Sequence, residues 1–228
     1  MTRIWMLVGL IGLLAVAACS AGTATLSLQH TSRDSLVAQL AQYTELATHG
    51  ATRAARLAAA KTGRGIADRC VQQSPRDALC YYHRAVLTGE YYRLHIFGYQ
   101  RGLKQMIADC ERINQLDPLV GEAGGYRILG QIFAQVPQTA ARPGDIVRDL
   151  DAAVGYFAKA VAYAPASVDN AIAYCDALTM LEDWAAARRV CADAAHKVAA
   201  RPQHPDSAEW RHVLQDAKKR LARRGAEA

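Results

Sequence analysis

The sequence predicts an all-α protein in which antiparallel helix pairs stack as a short superhelical solenoid. Three observations carry this. From Ser32 to Arg224 apolar residues recur at spacings of three and four in a background rich in Ala and Leu, with little of the alternation that marks a half-buried strand. Several helical stretches end at a proline that opens the next unit, at Pro75, Pro118, Pro165 and Pro202, which lie 43, 47 and 37 residues apart. Small residues also recur where the two helices of a pair would touch, so that the pair can approach closely, with an aromatic placed to fill the gap toward the next pair.

The elements follow in order. A first pair runs roughly from Asp34 to His49 and from Ala51 to Gln73, broken at Gly50. Pro75 introduces the next unit. Leu103, Met106, Ile107, Cys110 and Ile113 form one face of a helix that stops before Asp117-Pro118. Tyr126, Leu129 and Phe133 mark a shorter helix ending at Pro137, and Asp145 is placed to cap the next, which runs to Ala164. The last elements are Val168 to Leu181, Asp183 to Ala199, and a helix after Pro205.

This punctuation resembles the tetratricopeptide repeat. Leu129, Gly130 and Phe133 match the Leu-Gly-x-x-aromatic of its first helix, and Ala153, Phe157 and Ala160 match the small, aromatic and small positions of its second. The following unit repeats the scheme with Tyr174, Cys175 and Leu178, then Ala187 and Ala194. A non-repetitive bundle of Ala-rich helices is the plainer alternative.

The N-terminus bears on the compartment. Arg3 precedes an apolar run from Ile4 to Val16, too short for a comfortable span, and then Ala17, Ala18 and Cys19. Val16-Ala17-Ala18-Cys19 resembles the lipobox of bacterial lipoproteins, which implies diacylation of the Cys19 thiol and cleavage before it. An ordinary secretory signal with Cys19 as an incidental thiol is the alternative, and either predicts export. Ser20 and Ala21, in place of a retention Asp, imply the periplasmic face of the outer membrane. The expected organisation is a signal peptide at 1–18, a lipidated linker at 19–31, the helical repeat domain at 32–200, and a capping helix with a basic tail at 201–228.

From Gly125-Tyr126-Arg127-Ile128-Leu129-Gly130 through a Pro-containing loop to the Asp151-Ala-Ala-Val-Gly-Tyr-Phe-Ala-Lys-Ala-Val helix, the chain resembles the T-component lipoproteins of TRAP-type transporters. The resemblance covers roughly Glu122 to Ala195. It implies a lipid-anchored periplasmic protein that engages another periplasmic protein, the transporter's substrate-binding protein.

The residues themselves point to binding. Five of the ten tyrosines fall between Tyr81 and Tyr99, in a stretch that offers Tyr81, Tyr82, His83, Glu90, Tyr91, Tyr92, Arg93, His95, Tyr99 and Arg101 as a recognition surface for a protein, a peptide or an anionic small molecule. The same tyrosines suit helix packing equally well. A receptor or chaperone enclosing a small anionic or apolar ligand is the alternative function. No catalytic residues and no cofactor are expected: the chain carries no glycine-rich phosphate loop, no Gly-x-Ser-x-Gly and no His-Glu-x-x-His. Cys80-x-x-His83 lacks a second ligand pair for zinc, so no metal is expected there. His196, His204 and His212 are interrupted by prolines, and Glu122, Asp145, Asp149 and Asp151 read as helix-start charges.

The chain is mildly basic, with 27 Lys and Arg against 21 Asp and Glu. The one concentration, Lys218, Lys219, Arg220, Arg223 and Arg224, reads as the solvated end of a terminal helix, and export argues against nucleic acid.

Export also places five cysteines besides Cys19 in an oxidising compartment. Cys70 and Cys80 are equidistant from Pro75, and Cys175 and Cys191 from Asp183. In antiparallel helix pairs such positions come face to face, so two disulfides are expected, with Cys110 left as a buried thiol. The alternative is five reduced cysteines at small helix-contact positions.

Overall fold

The computed structural model describes residues 32–139 and 142–227, with side chains as far as 223. The signal and linker expectations, Cys19 among them, and the Arg224 side chain lie outside the described residues. Within the described residues there are nine helices and no strand: α1 (Arg33–His49), α2 (Arg53–Gln73), α3 (Ala78–Leu94), α4 (Tyr99–Leu116), α5 (Val120–Gln135), α6 (Leu150–Tyr163), α7 (Val168–Met180), α8 (Trp184–Ala199) and α9 (Ser207–Glu227). They belong to one compact unit, Thr31–Ala228.

Each helix packs on the next in sequence, as in an all-α helical-repeat solenoid. In addition α1 touches α3, α3 touches α5, α5 touches α7 and α7 touches α9, whereas no two even-numbered helices touch among the described residues. The odd helices therefore form a continuous inner layer, and the even helices stand apart on the outer side. The core is a chain of apolar clusters. Leu36, Leu40, Ala60 and Leu87 join α1 to α3; Met106, Cys110, Leu129 and Ile132 fill the next joint. Phe157 with Ala153 and Ala177, then Leu178, Ala194, Trp210 and Leu214, complete the series. Each joint depends only on its neighbours, the hallmark of a quasi-one-dimensional array.

The small-and-aromatic pattern works inside the pair as well as toward the next: Phe157 clusters with Ala177 of α7 and packs over Gly130 of α5. A Cβ on Gly130 would stand 2.7 Å from the Phe157 ring, so only glycine lets α6 seat its aromatic against α5. At the far end α9 closes the array through the Trp210 indole N–H, which donates to Asp169 Oδ1 at 2.7 Å, and through Arg220, which bonds Asp176 and Thr179 on α7. Its outward residues Arg211, His212, Gln215 and Lys218 are exposed, as a terminal cap requires.

Most helix starts are side-chain capped, by Ser32, Thr52, Asp77, Asp149, Ser167 and Asp183. Two differ from the expected boundaries. α2 begins at Arg53 because the Thr52 hydroxyl accepts from the Ala55 N–H. α6 is capped by Asp149, and Asp145 is not its cap: Asp145 accepts from the Arg142 N–H in a preceding turn. The chain then runs extended, with Ile146 clasped on both its N–H and C=O by the Gln100 amide and the Asp149 N–H donating to Phe133 O. Helix formation has to wait until these bonds are spent.

The start of α5 is unusual. Gly121, Glu122 and Ala123 have φ of 60°, 56° and 61°. A left-handed turn costs a non-glycine residue on the order of 1 kcal/mol. The turn presents the Glu122 carbonyl to the Asn170 side-chain N–H2 at 2.8 Å, tying α5 to α7, while the Tyr82 ring fills the space over Gly121 and Gly124.

Both predicted disulfides are formed, Cys70–Cys80 between α2 and α3 and Cys175–Cys191 between α7 and α8, with Cα separations of 5.5 and 4.8 Å. Cys110 is free and buried, and burial holds its thiol well above the usual range, so native alkylation should be slow.

Candidate functional site

The ten residues of the Tyr81–Arg101 stretch divide by position. Tyr82 lies over Gly121 and Gly124 of α5. Tyr91 packs with the α1–α2 core, and the Tyr92 ring covers Gly102 of α4. The Arg64 guanidinium of α2 sits over both rings, 4.6 Å from the Tyr91 centroid and 5.3 Å from that of Tyr92. His83 is buried and shares a 2.9 Å hydrogen bond with the Thr44 hydroxyl, joining α3 to α1. Tyr81 donates from its hydroxyl to Pro75 O and lies beneath Arg84. His95 lies tilted against the Tyr91 ring and meets Phe97 edge-on. Glu90 and Arg93 form an ion pair one turn apart, with Arg93 exposed; Arg101 is exposed and Tyr99 partly so. The open part of the stretch is thus Arg93 and the turn from Ile96 to Arg101, and the rest is packed against α3 or its neighbours.

His83 makes the stretch sensitive to pH. Burial lowers its pKa from the ordinary 6.5, and the charge of Asp77 opposes the shift only in part. A group whose folded pKa is depressed adds stability that is complete above its unfolded pKa and is lost as pH falls through the folded one. The melting temperature should therefore begin to fall below about pH 6.5, and His83→Gln should flatten that portion of the curve. Identical slopes for parent and variant between pH 7.5 and 5 would assign the loss to other groups.

A second polar cluster, not anticipated from the sequence, lies between the outer helices. Arg84 of α3 makes two hydrogen bonds to Asp109 of α4, at 2.6 and 2.9 Å, and one to Asp68 of α2 at 3.2 Å. The Asp109 carboxylate is only 1 % exposed and also accepts from Gln105. Burial pushes the Asp109 carboxyl upward against the pull of Arg84. The cluster bridges two helices that do not touch, a structural role.

A second aromatic surface that solvent reaches lies on α5 and α6. Tyr126 stacks on Tyr163 with centroids 5.2 Å apart, and Phe133 stacks on Tyr156 at 5.8 Å. Lys159 stands between them, 6.0 Å from the Tyr126 ring and 5.7 Å from the Tyr156 ring. Tyr163 and Lys159 are exposed and the other three are half-buried. The matching seven-residue spacings, 126 to 133 and 156 to 163, carried this information. Reading it required the register of two helices joined by a 14-residue connection.

A cavity of about 640 Å³ opens where α1, α3 and α5 begin, lined by Arg33, Asp77, Leu79, Leu116 and Val120 among others; Arg33 is already paired with Asp77. Among the described residues no group of three His, Cys, Asp or Glu side chains could hold a metal ion, and no helix is long and apolar enough to cross a membrane.

No protein-family model matches the chain, and no curated protein matches it.

Proposed function

We propose that this protein is a lipid-anchored periplasmic interaction module, without catalytic activity, that holds another protein against its helical array. The observation that carries the reading is the Tyr126–Tyr163 and Phe133–Tyr156 ladder with Lys159 at its centre. Stacked tyrosines are already ordered, so they lose little side-chain entropy on binding, and their hydroxyls give direction to an otherwise apolar contact. The ladder falls within the region that resembles tetratricopeptide lipoproteins of TRAP-type transporters, so a substrate-binding protein is the proposed partner class. Two disulfides in the folded unit and the Val16-Ala17-Ala18-Cys19 sequence support an exported, acylated protein.

Photo-crosslinking in intact cells tests the partner surface. A crosslinking amino acid at Tyr163 should trap one periplasmic protein, and the same probe at Arg211 on the capping helix should not. Replacing Tyr126, Lys159 and Tyr163 by Ala should weaken the complex by about 2–4 kcal/mol while leaving the melting temperature within a few degrees. Equal yields at both probe sites would remove the surface from consideration. Anchoring is tested separately: fatty-acid labelling should vanish in Cys19→Ser, and persistent labelling would end the lipoprotein reading.

A further inference from the structure

Ile96 and Phe97 are the most exposed large apolar side chains described, 71 % and 78 % accessible, and they are adjacent in the turn between α3 and α4. Leaving both in water is unfavourable, and neither supports the fold: Leu94, just before them, is the residue that turns into the core. Phe97 meets the His95 ring edge-on, which holds the turn in shape and leaves the tip projecting.

The surroundings of the tip are cationic. Arg101 and Lys104 on the first turns of α4 are exposed, and neither is in an ion pair among the described residues. Arg93 and Arg53 flank them, Arg53 donating to Leu94 O. The nearby acids are engaged, Glu90 with Arg93 and Asp145 with the Arg142 N–H. α4 begins at Gly98 without a side-chain cap, and the Tyr99 and Arg101 N–H groups donate to the Ile96 and Gly98 carbonyls, so the attraction for an anion here comes from the Arg101 and Lys104 side chains.

We propose that this edge of the array is a membrane-contact site, with Ile96 and Phe97 inserting among acyl chains and Arg101 and Lys104 meeting anionic phospholipid headgroups. An apolar tip ringed by cations fits a bilayer interface in both layers of its chemistry, whereas a protein partner would have to supply an apolar pocket with an acidic rim. Chain length permits the contact. About 13 residues separate Cys19 from Ser32, a contour of about 45 Å, against about 25 Å for the length of α1. The site rests on the proposed anchoring for its proximity to lipid, since a tether raises the effective concentration of a surface that binds weakly alone. With the Ile96–Phe97 edge on the membrane, the solenoid is held in one orientation.

The test uses residues 31–228, the compact unit, which lacks Cys19 and is therefore independent of acylation. Sedimentation with vesicles of phosphatidylcholine containing roughly a third phosphatidylglycerol should carry the protein down, and phosphatidylcholine alone should carry much less. Ile96→Ser with Phe97→Ser should reduce partitioning by about tenfold, and Arg101→Gln with Lys104→Gln should reduce it comparably and remove its salt dependence, all with unchanged melting temperatures. As a second readout, Phe97→Trp should be quenched by brominated lipid, while Trp184 and Trp210 of the parent are not. Failure of the parent to sediment with anionic vesicles, or equal sedimentation of parent and both variants, overturns the proposal. Loss of a protein partner in the Ser variant with vesicle binding intact also overturns it and assigns the tip to a protein. Loss of acylation at Cys19 in cells, by contrast, bears only on the anchor.

Discussion

Arg84→Ala should lower the stability of the folded unit by about 3–5 kcal/mol at neutral pH, among the largest effects available to a partly exposed residue. The cause is the group left behind. Asp109 would remain with a 1 % exposed carboxyl that accepts only from the Gln105 amide among the described residues, in surroundings that already raise its pKa. Three details distinguish this from simple loss of packing. Acidification should recover part of the deficit, because protonating Asp109 removes the uncompensated charge. Arg84→Lys should be intermediate, since an ammonium cannot reproduce the two-pronged bond. Arg84→Met with Asp109→Leu should be more stable than Arg84→Ala alone, because it removes both charges together. Urea unfolding of the four proteins at pH 5 and 7.5 measures all three. An Arg84→Ala variant within 1 kcal/mol of the parent would show that the carboxylate is reached by water.

Removing the Cys175–Cys191 disulfide should cost about 3 kcal/mol, and removing Cys70–Cys80 somewhat less, as expected for closed loops with sequence separations of 16 and 10. Paired replacement by Ala is the clean experiment, because the sulfurs sit in fully or nearly fully buried positions where a serine hydroxyl would add a burial penalty. For a unit of this size a loss of 3 kcal/mol lowers the melting temperature by roughly 6–12 °C. Cys175 and Cys191 join the last pair before the capping helix, so their loss should also loosen α9 and raise amide exchange around Trp210. In unfolded, unreduced protein spanning residues 31–228, a thiol reagent should find Cys110 alone. Two or more reactive thiols would show that at least one bridge is absent.

How much of this could be read from the chain depended on the helix. Among the described helices α4 packs on α3 and α5 alone, so its apolar residues are confined to one side, and Leu103, Met106, Ile107, Cys110 and Ile113 were legible as its inward face. α3 packs on α1, α2, α4 and α5. Surrounded in this way, it carries apolar or aromatic residues on every side, and periodicity cannot say which tyrosine is covered. Tyr82, Tyr91 and Tyr92 therefore read as a possible surface, although each faces a different neighbouring helix. Ile96 and Phe97 were visible within the same stretch, but their exposure was not, because a short apolar run at a turn is as often buried as projected.

The sequence by itself determined the helical class, the breaks between helices at Gly50, Pro75, Pro118 and Pro165, and both disulfide pairings. These are local properties: a cap, a proline or a pair of positions mirrored about a turn acts over one or two helices, and the chain spells it out directly. The tertiary structure alone decided the pairing of Arg84 with Asp109, the delay of α6 to Asp149, and the alignment of Tyr126 with Tyr163. Each of these depends on the register between elements separated by 25 residues or more, or on which of several hydrogen-bond partners reaches a group first. That register is set by glycine and aromatic contacts such as Gly130 with Phe157, whose residues can be recognised in the chain but whose relative height exists only once the helices have packed.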